Sequence, residues 1–145
     1  MGAFPMHTET AFLRMPVRYL LLYCINPGYE KRPTQWMDGK ALMNHRSLWE
    51  DQWVVRRNRS PFLSSILTRT ESGWAIRFDP ECMQPSHQYS ASSEIMNQVL
   101  GKSDVLSHNW NSGDLVVLDN HRVLHGRGIA STPDPDRKLA RILIA

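Results

Sequence analysis

At 145 residues, 41% hydrophobic and 21% charged, the chain has the size and composition of one globular domain able to bury a core, with no internal repeat or low-complexity segment. The net charge of +3 and pI near 9.1 come from dispersed basic residues; the densest group, Arg56, Arg57 and Arg59 around Asn58, reads as a solvated face rather than a nucleic-acid track, and an anionic substrate or cosubstrate accounts for the excess equally well. Two cysteines far apart, Cys24 and Cys82, imply no disulfide framework, no apolar run approaches the roughly 18 residues of a membrane span, and the N-terminus lacks a secretory pattern, so a reducing, cytoplasmic setting without membrane attachment is expected.

In chain order, residues 15–24 (MPVRYLLLYC) give the strongest strand signal, a short apolar run closed by Asn26-Pro27-Gly28, with Cys24 a buried thiol. Residues 38–48 read as a short helix with Asp38 as N-cap. Residues 53–57, 62–68 and 74–78 read as three strands, the last two joined by a turn at Glu71-Ser72-Gly73. A second helix is expected over 92–100, ended by Gly101, followed by a strand over 114–118 buried on both faces. Residues 139–145 suit helix or strand equally by local preference. Many short strands and two short helices point to a β-sandwich or barrel, which a jelly roll fits; periodicity does not supply the topology.

Six histidines are present, His7, His45, His87, His108, His121 and His125. His7-Thr8-Glu9 pairs an imidazole with a carboxylate two residues on, and in an extended strand those side chains share a face and can grip one ion. Two histidines and one carboxylate on one face of an octahedral ion form the facial triad of non-haem Fe(II) oxygenases, leaving three positions for chemistry. The tripeptide alone is a common one. The distal histidine is open on spacing: His121 and His125 would share a strand face, and His108 is a third candidate. His45 and His87 read as surface residues.

The segment 110–127, W-N-S-G-D-L-V-V-L-D-N-H-R-V-L-H-G-R, resembles the C-terminal signature of the taurine-dioxygenase and clavaminate-synthase superfamily of Fe(II), 2-oxoglutarate-dependent oxygenases. The opening P-M-H-T-E-T-A-F resembles its proximal motif in the clavaminate-synthase form, with Glu in place of Asp. The strand R-M-P-V-R-Y-L-L-L-Y-C, then Arg32-Pro33-Thr34, and the closing D-R-K-L-A-R-I-L-I follow in the family's order. The resemblance implies a jelly-roll core (a double-stranded β-helix), Fe(II) held by His7, Glu9 and His125, and 2-oxoglutarate and O2 as cosubstrates. It assigns the far carboxylate of 2-oxoglutarate to Arg137 with Thr34, an anionic group on the substrate to Arg141, and the region over the substrate to Asp79. By residue type alone Thr34 reads equally as a turn hydroxyl after Pro33, Arg137 as a surface arginine and Asp79 as a strand-end residue. Trp110 and Asp119-Asn120 read as structural, a packing aromatic and a turn whose side chains satisfy backbone donors.

The implied reaction is hydroxylation or desaturation of a small carboxylate-bearing metabolite, an amino acid or derivative. Glu9 fills the coordination position that a halide takes in halogenating relatives, which disfavours halogenation. Only six residues precede His7, where relatives carry on the order of a hundred. Residues 1–145 are thus expected to form a single jelly-roll oxygenase domain, truncated, an alternative product or a natural minimal form, whose exposed strand edges favour homo-oligomers. A catalytically impaired relative that keeps the metal and 2-oxoglutarate site for binding or regulation is the alternative.

Overall fold

The computed structural model describes residues 4–56, 60–102, 104–128 and 132–145. Arg57, Asn58 and Arg59 of the basic group lie outside them, as does the end of the strand expected at 53–57. The described strands are β1 Phe4–His7, β2 Tyr19–Asn26, β3 Thr34–Asp38, β4 Trp53–Val55, β5 Phe62–Ser64, β6 Leu67–Thr70, β7 Gly73–Ile76, β8 Met83–Pro85, β9 Leu106–His108, β10 Leu115–Asp119, β11 Val123–Arg127 and β12 Lys138–Ile144. Two helices, α1 Arg46–Glu50 and α2 Ala91–Lys102, complete the regular elements. No helix among the described residues is long and apolar enough to cross a membrane.

Two antiparallel sheets frame the functional region, one in the order β1-β11-β3-β9 and the other β10-β2-β12. Side chains from both line one cavity, so the sheets face each other as a jelly roll requires. The sheet β5-β4-β8 and the hairpin β6-β7 belong to a second region, where Leu48, Val55, Ile66, Ile76, Met96 and Leu124 form the larger apolar cluster.

β2 shows how pattern becomes placement. Leu20, Leu22 and Cys24 alternate inward and pack with Trp110 and Leu118, while Tyr19, Tyr23 and Ile25 point out. Both cysteines are buried thiols outside any disulfide. The strand begins at Tyr19 rather than at residue 15. Pro16 has no N–H to give a ladder, and the buried Arg77 guanidinium draws the carbonyls of Ala11, Leu13 and Arg14 into a loop.

Several sequence expectations are corrected by tertiary contacts. β10 is not buried on both faces: Leu115 and Val117 are each 57% exposed. They lie opposite Tyr23 and Leu21 of β2, and with Ile142 and Ile144 they make the sheet's outer face apolar and solvent-facing. The helix expected over 38–48 is split. Asp38 ends β3, its carboxylate accepts from Lys40 N at 2.8 Å to cap a single 3-10 turn, Gly39–Leu42, and α1 starts afresh at Arg46. The strand expected over 62–68 breaks at Ser65-Ile66, where the Ser65 hydroxyl donates to Leu67 O at 2.8 Å. Gly101 sits inside α2, where a Cβ would meet nothing. The ambiguous C-terminal segment is strand because it pairs with β2 from Asn26 back to Tyr19.

Candidate functional site

His7 ends β1, a strand of only four residues whose sole pairing among the described residues is with β11. The register sets His7 directly opposite His125, and their ring centroids lie 4.2 Å apart. Gly126 makes this approach feasible: a Cβ there would sit 2.8 Å from Phe4 O and 3.1 Å from Met6 N. A side chain at 126 would push β1 off its partner.

Glu9 reaches the same place by a route the strand argument did not foresee. β1 stops at His7, and Glu9 lies in the turn that follows. Its position comes from Asn120, fully buried, whose carboxamide accepts from Glu9 N at 2.8 Å and donates to Glu9 O at 3.0 Å and Val17 O at 2.8 Å. The next residue, Thr10, has φ 57°, a left-handed conformation that a β-branched residue adopts only under constraint. Its hydroxyl donates to Glu9 O at 2.6 Å and accepts from Val17 N at 3.0 Å. Asn120→Ala would leave the Glu9 and Val17 carbonyls and the Glu9 N–H without that partner. It is expected to lower stability by about 2–3 kcal/mol and to weaken metal binding, as read by denaturant unfolding and metal titration. Unchanged values in both would show that Asn120 does not hold Glu9.

The ligand atoms of His7, Glu9 and His125 lie within 4.8 Å of one another. His125 Nε2 is 3.8 Å from Glu9 Oε2. His7 Nδ1 is 2.9 Å from Pro5 O, a contact that fixes Nδ1 as the protonated nitrogen and leaves the Nε2 lone pair for an ion. Burial, with the neighbouring His7 and Arg141, pushes His125 down to about 3, so its imidazole is neutral at ordinary pH, and its buried Nδ1 has no hydrogen-bond partner. Two imidazole nitrogens and a carboxylate are the donor set a divalent first-row ion takes. The residues present fit such an ion.

The cavity beside this cluster is lined by Thr34, Arg127, Arg137 and Arg141, with Leu20 and Leu22 as apolar walls. Thr34 Oγ1 accepts from the indole of Trp110 at 3.0 Å, so Trp110, almost fully buried, fixes that hydroxyl as well as filling core. Arg137 donates to Arg32 O at 3.4 Å. Burial, then Arg127 and Arg32, hold Arg137 below the usual arginine range. Arg141 Nη1 lies 3.1 and 3.0 Å from the two oxygens of Glu9. Its side chain is 57% exposed, at the cavity's open side.

Other candidates sit elsewhere. Asp79 does not line the cavity; its Oδ1 accepts from Glu81 N at 2.9 Å and closes a turn. His121 Nε2 is 3.0 Å from Pro16 O, and His108 Nε2 is 3.1 Å from Asp114 Oδ2; neither joins the cluster. Arg127 was not singled out from sequence, although it lies two residues past His125 on a strand and shares its face.

The family model of the taurine catabolism dioxygenase TauD, TfdA family matches residues 54–143. The chain belongs to that family. The matched TauD/TfdA segment contains His125, Arg137 and Arg141, whereas His7, Glu9 and Thr34 precede it. Among solved structures, an asparagine oxygenase in complex with Fe(II), 2S,3S-3-hydroxyasparagine and succinate superimposes with TM-score 0.77 at 18% identity, covering 99% of this chain and 50% of that one. The non-haem iron oxygenase OrfP in complex with Fe and alpha-ketoglutaric acid gives TM-score 0.72 at 23% identity, covering 99% and 50%. At such identities the likeness shows the fold, the jelly roll of this TauD/TfdA member. The chain spans about half the length of these structures. No curated protein sequence matches it.

Proposed function

We propose that this chain is the metal-bearing part of a non-haem Fe(II), 2-oxoglutarate-dependent dioxygenase, and that residues 1–145 act as one jelly-roll unit. The observation that carries the reading is the convergence of His7, Glu9 and His125 at one end of a cavity that also holds Thr34, Arg137 and Arg141. Membership of the TauD/TfdA family supports it. In this reading His7, Glu9 and His125 hold Fe(II), and Arg137 with the Thr34 hydroxyl anchors the far carboxylate of 2-oxoglutarate. Iron and cosubstrate, with O2, supply an oxidant able to remove hydrogen from carbon. The protein fixes where that hydrogen lies. Leu20, Leu22 and Leu139 present apolar walls to the cavity, keeping solvent from the reacting end.

The substrate is proposed to be a small carboxylate-bearing metabolite, an amino acid or derivative, that is hydroxylated or desaturated. Arg141 stands at the cavity's open side with donors free to meet a carboxylate once Glu9 is engaged by metal. Asparagine oxygenase and OrfP, with their hydroxyasparagine and hydroxyarginine ligands, support this substrate class. Glu9 fills the position a halide would need. Nucleic acid and membrane are not proposed as partners, and the proposed setting is a reducing cytoplasm, where thiols such as Cys24 and Cys82 stay reduced.

The test reconstitutes the chain with Fe(II) and 2-oxoglutarate and offers an amino-acid library under O2. Succinate release and product masses are followed. Succinate coupled to a product one oxygen heavier, or two hydrogens lighter, is the expected result. Turnover confined to protein or nucleic acid, or a chlorinated product in chloride, would overturn it. Metal and 2-oxoglutarate binding without turnover on any substrate would transfer the reading to a binding or regulatory relative.

A further inference from the structure

β11 carries a second guanidinium into the cavity. Arg127 lies directly opposite Thr34 in the β11–β3 register, so the two side chains leave adjacent strands on the same face, about 5 Å apart at Cβ. Strand alternation puts Arg127 on the face of His125, and both line the cavity together with Arg137. Arg32 stands behind them, 7% exposed, its carbonyl accepting from Arg137. Three guanidiniums therefore crowd one half-buried corner, with Arg127 and Arg32 both close enough to repel Arg137. Glu30 lies 3.6 Å from Arg32 Nε. Buried Nε atoms of Arg32, Arg127 and Arg137 have no hydrogen-bond partner. Like charges kept this close with donors unused favour a bound anion.

We propose that Arg127 and Arg137 together seat the far carboxylate of 2-oxoglutarate, with the Thr34 hydroxyl between them and Arg32 as a charge behind. This rests on the 2-oxoglutarate reading above and adds a residue to it. Two guanidiniums make the corner a dicarboxylate selector, since a keto acid ending in a methyl group would leave both charges buried and unpaired.

The experiment uses isothermal titration under anaerobic conditions with 2-oxoglutarate, succinate and 2-oxovalerate, on the wild type and on Arg127→Gln and Arg127→Lys. The wild type should bind both dicarboxylates and bind 2-oxovalerate at least about thirtyfold more weakly. Arg127→Gln should lose about thirtyfold for 2-oxoglutarate and for succinate alike, with Arg127→Lys intermediate. Should the variants fail to fold, phenylglyoxal labelling of the wild type decides, read by peptide mass mapping. Succinate should protect Arg127 and Arg137 together, and protection of Arg137 alone overturns the proposal. Equal 2-oxoglutarate affinity in wild type and Arg127→Gln overturns it and leaves the proposed function standing. A wild type that binds neither dicarboxylate overturns both.

Discussion

His125→Ala is expected to abolish the weak visible charge-transfer band that Fe(II) and 2-oxoglutarate produce together in anaerobic titration, whereas His121→Ala retains it. The two histidines are four residues apart and both buried, so neither spacing nor exposure separates them. Partners do. His121 Nε2 spends its contact on Pro16 O, 3.0 Å away, and Arg18 approaches its other nitrogen at 3.5 Å; its loss costs packing around the start of β2. His125 faces His7 across the β1–β11 pair and lies 3.8 Å from Glu9. With two of three protein ligands left, the chelate should lose affinity by orders of magnitude. Survival of the band in His125→Ala with its loss in His121→Ala would move the distal ligand. Absence of any band in the wild type would remove the triad itself.

Arg137→Ala should weaken 2-oxoglutarate roughly a hundredfold, and Arg141→Ala far less. A charge-assisted, paired contact with a carboxylate is among the strongest a side chain makes, provided solvent is kept away. Arg137 meets that condition, half-buried beside Thr34 at the cavity's closed corner. The Arg141 side chain is more than half exposed and turned toward Glu9, where water screens what it gains. Direct binding measurements on the two variants decide the matter, and the reverse ranking would give the cosubstrate to Arg141.

Much of the site was legible because its donors sit in short local motifs. H-T-E and V-L-H-G-R each bring residues into register within a few positions, and family resemblance chose His125 where spacing left three candidates open. The reason Glu9 arrives beside His7 and His125 was not legible. Strand alternation suggested one face for His7 and Glu9, yet β1 ends at His7 and the carboxylate is aimed by Asn120, a contact across 111 residues. Arg127 escaped notice because nothing local marks it; only the Thr34 register shows what it faces. The strands were harder for the same cause. β3, β8 and β9 are three to five residues long and have no alternation to detect, and the exposure of β10 is a property of its whole sheet. Asp79, a position suggested by family resemblance, lies outside the cavity, and its side chain closes its own turn.

The partners of the first strand also fix an order of assembly during synthesis. A ribosome makes His7 and Glu9 near the beginning of this segment, but β11 and Asn120 come more than a hundred residues later. Sheet β10-β2-β12 likewise gains its inner partner first and both outer strands last. Until those late residues leave the exit tunnel, β1 lacks β11 and Glu9 lacks Asn120. The pocket therefore takes shape only after nearly the whole of this segment has been released.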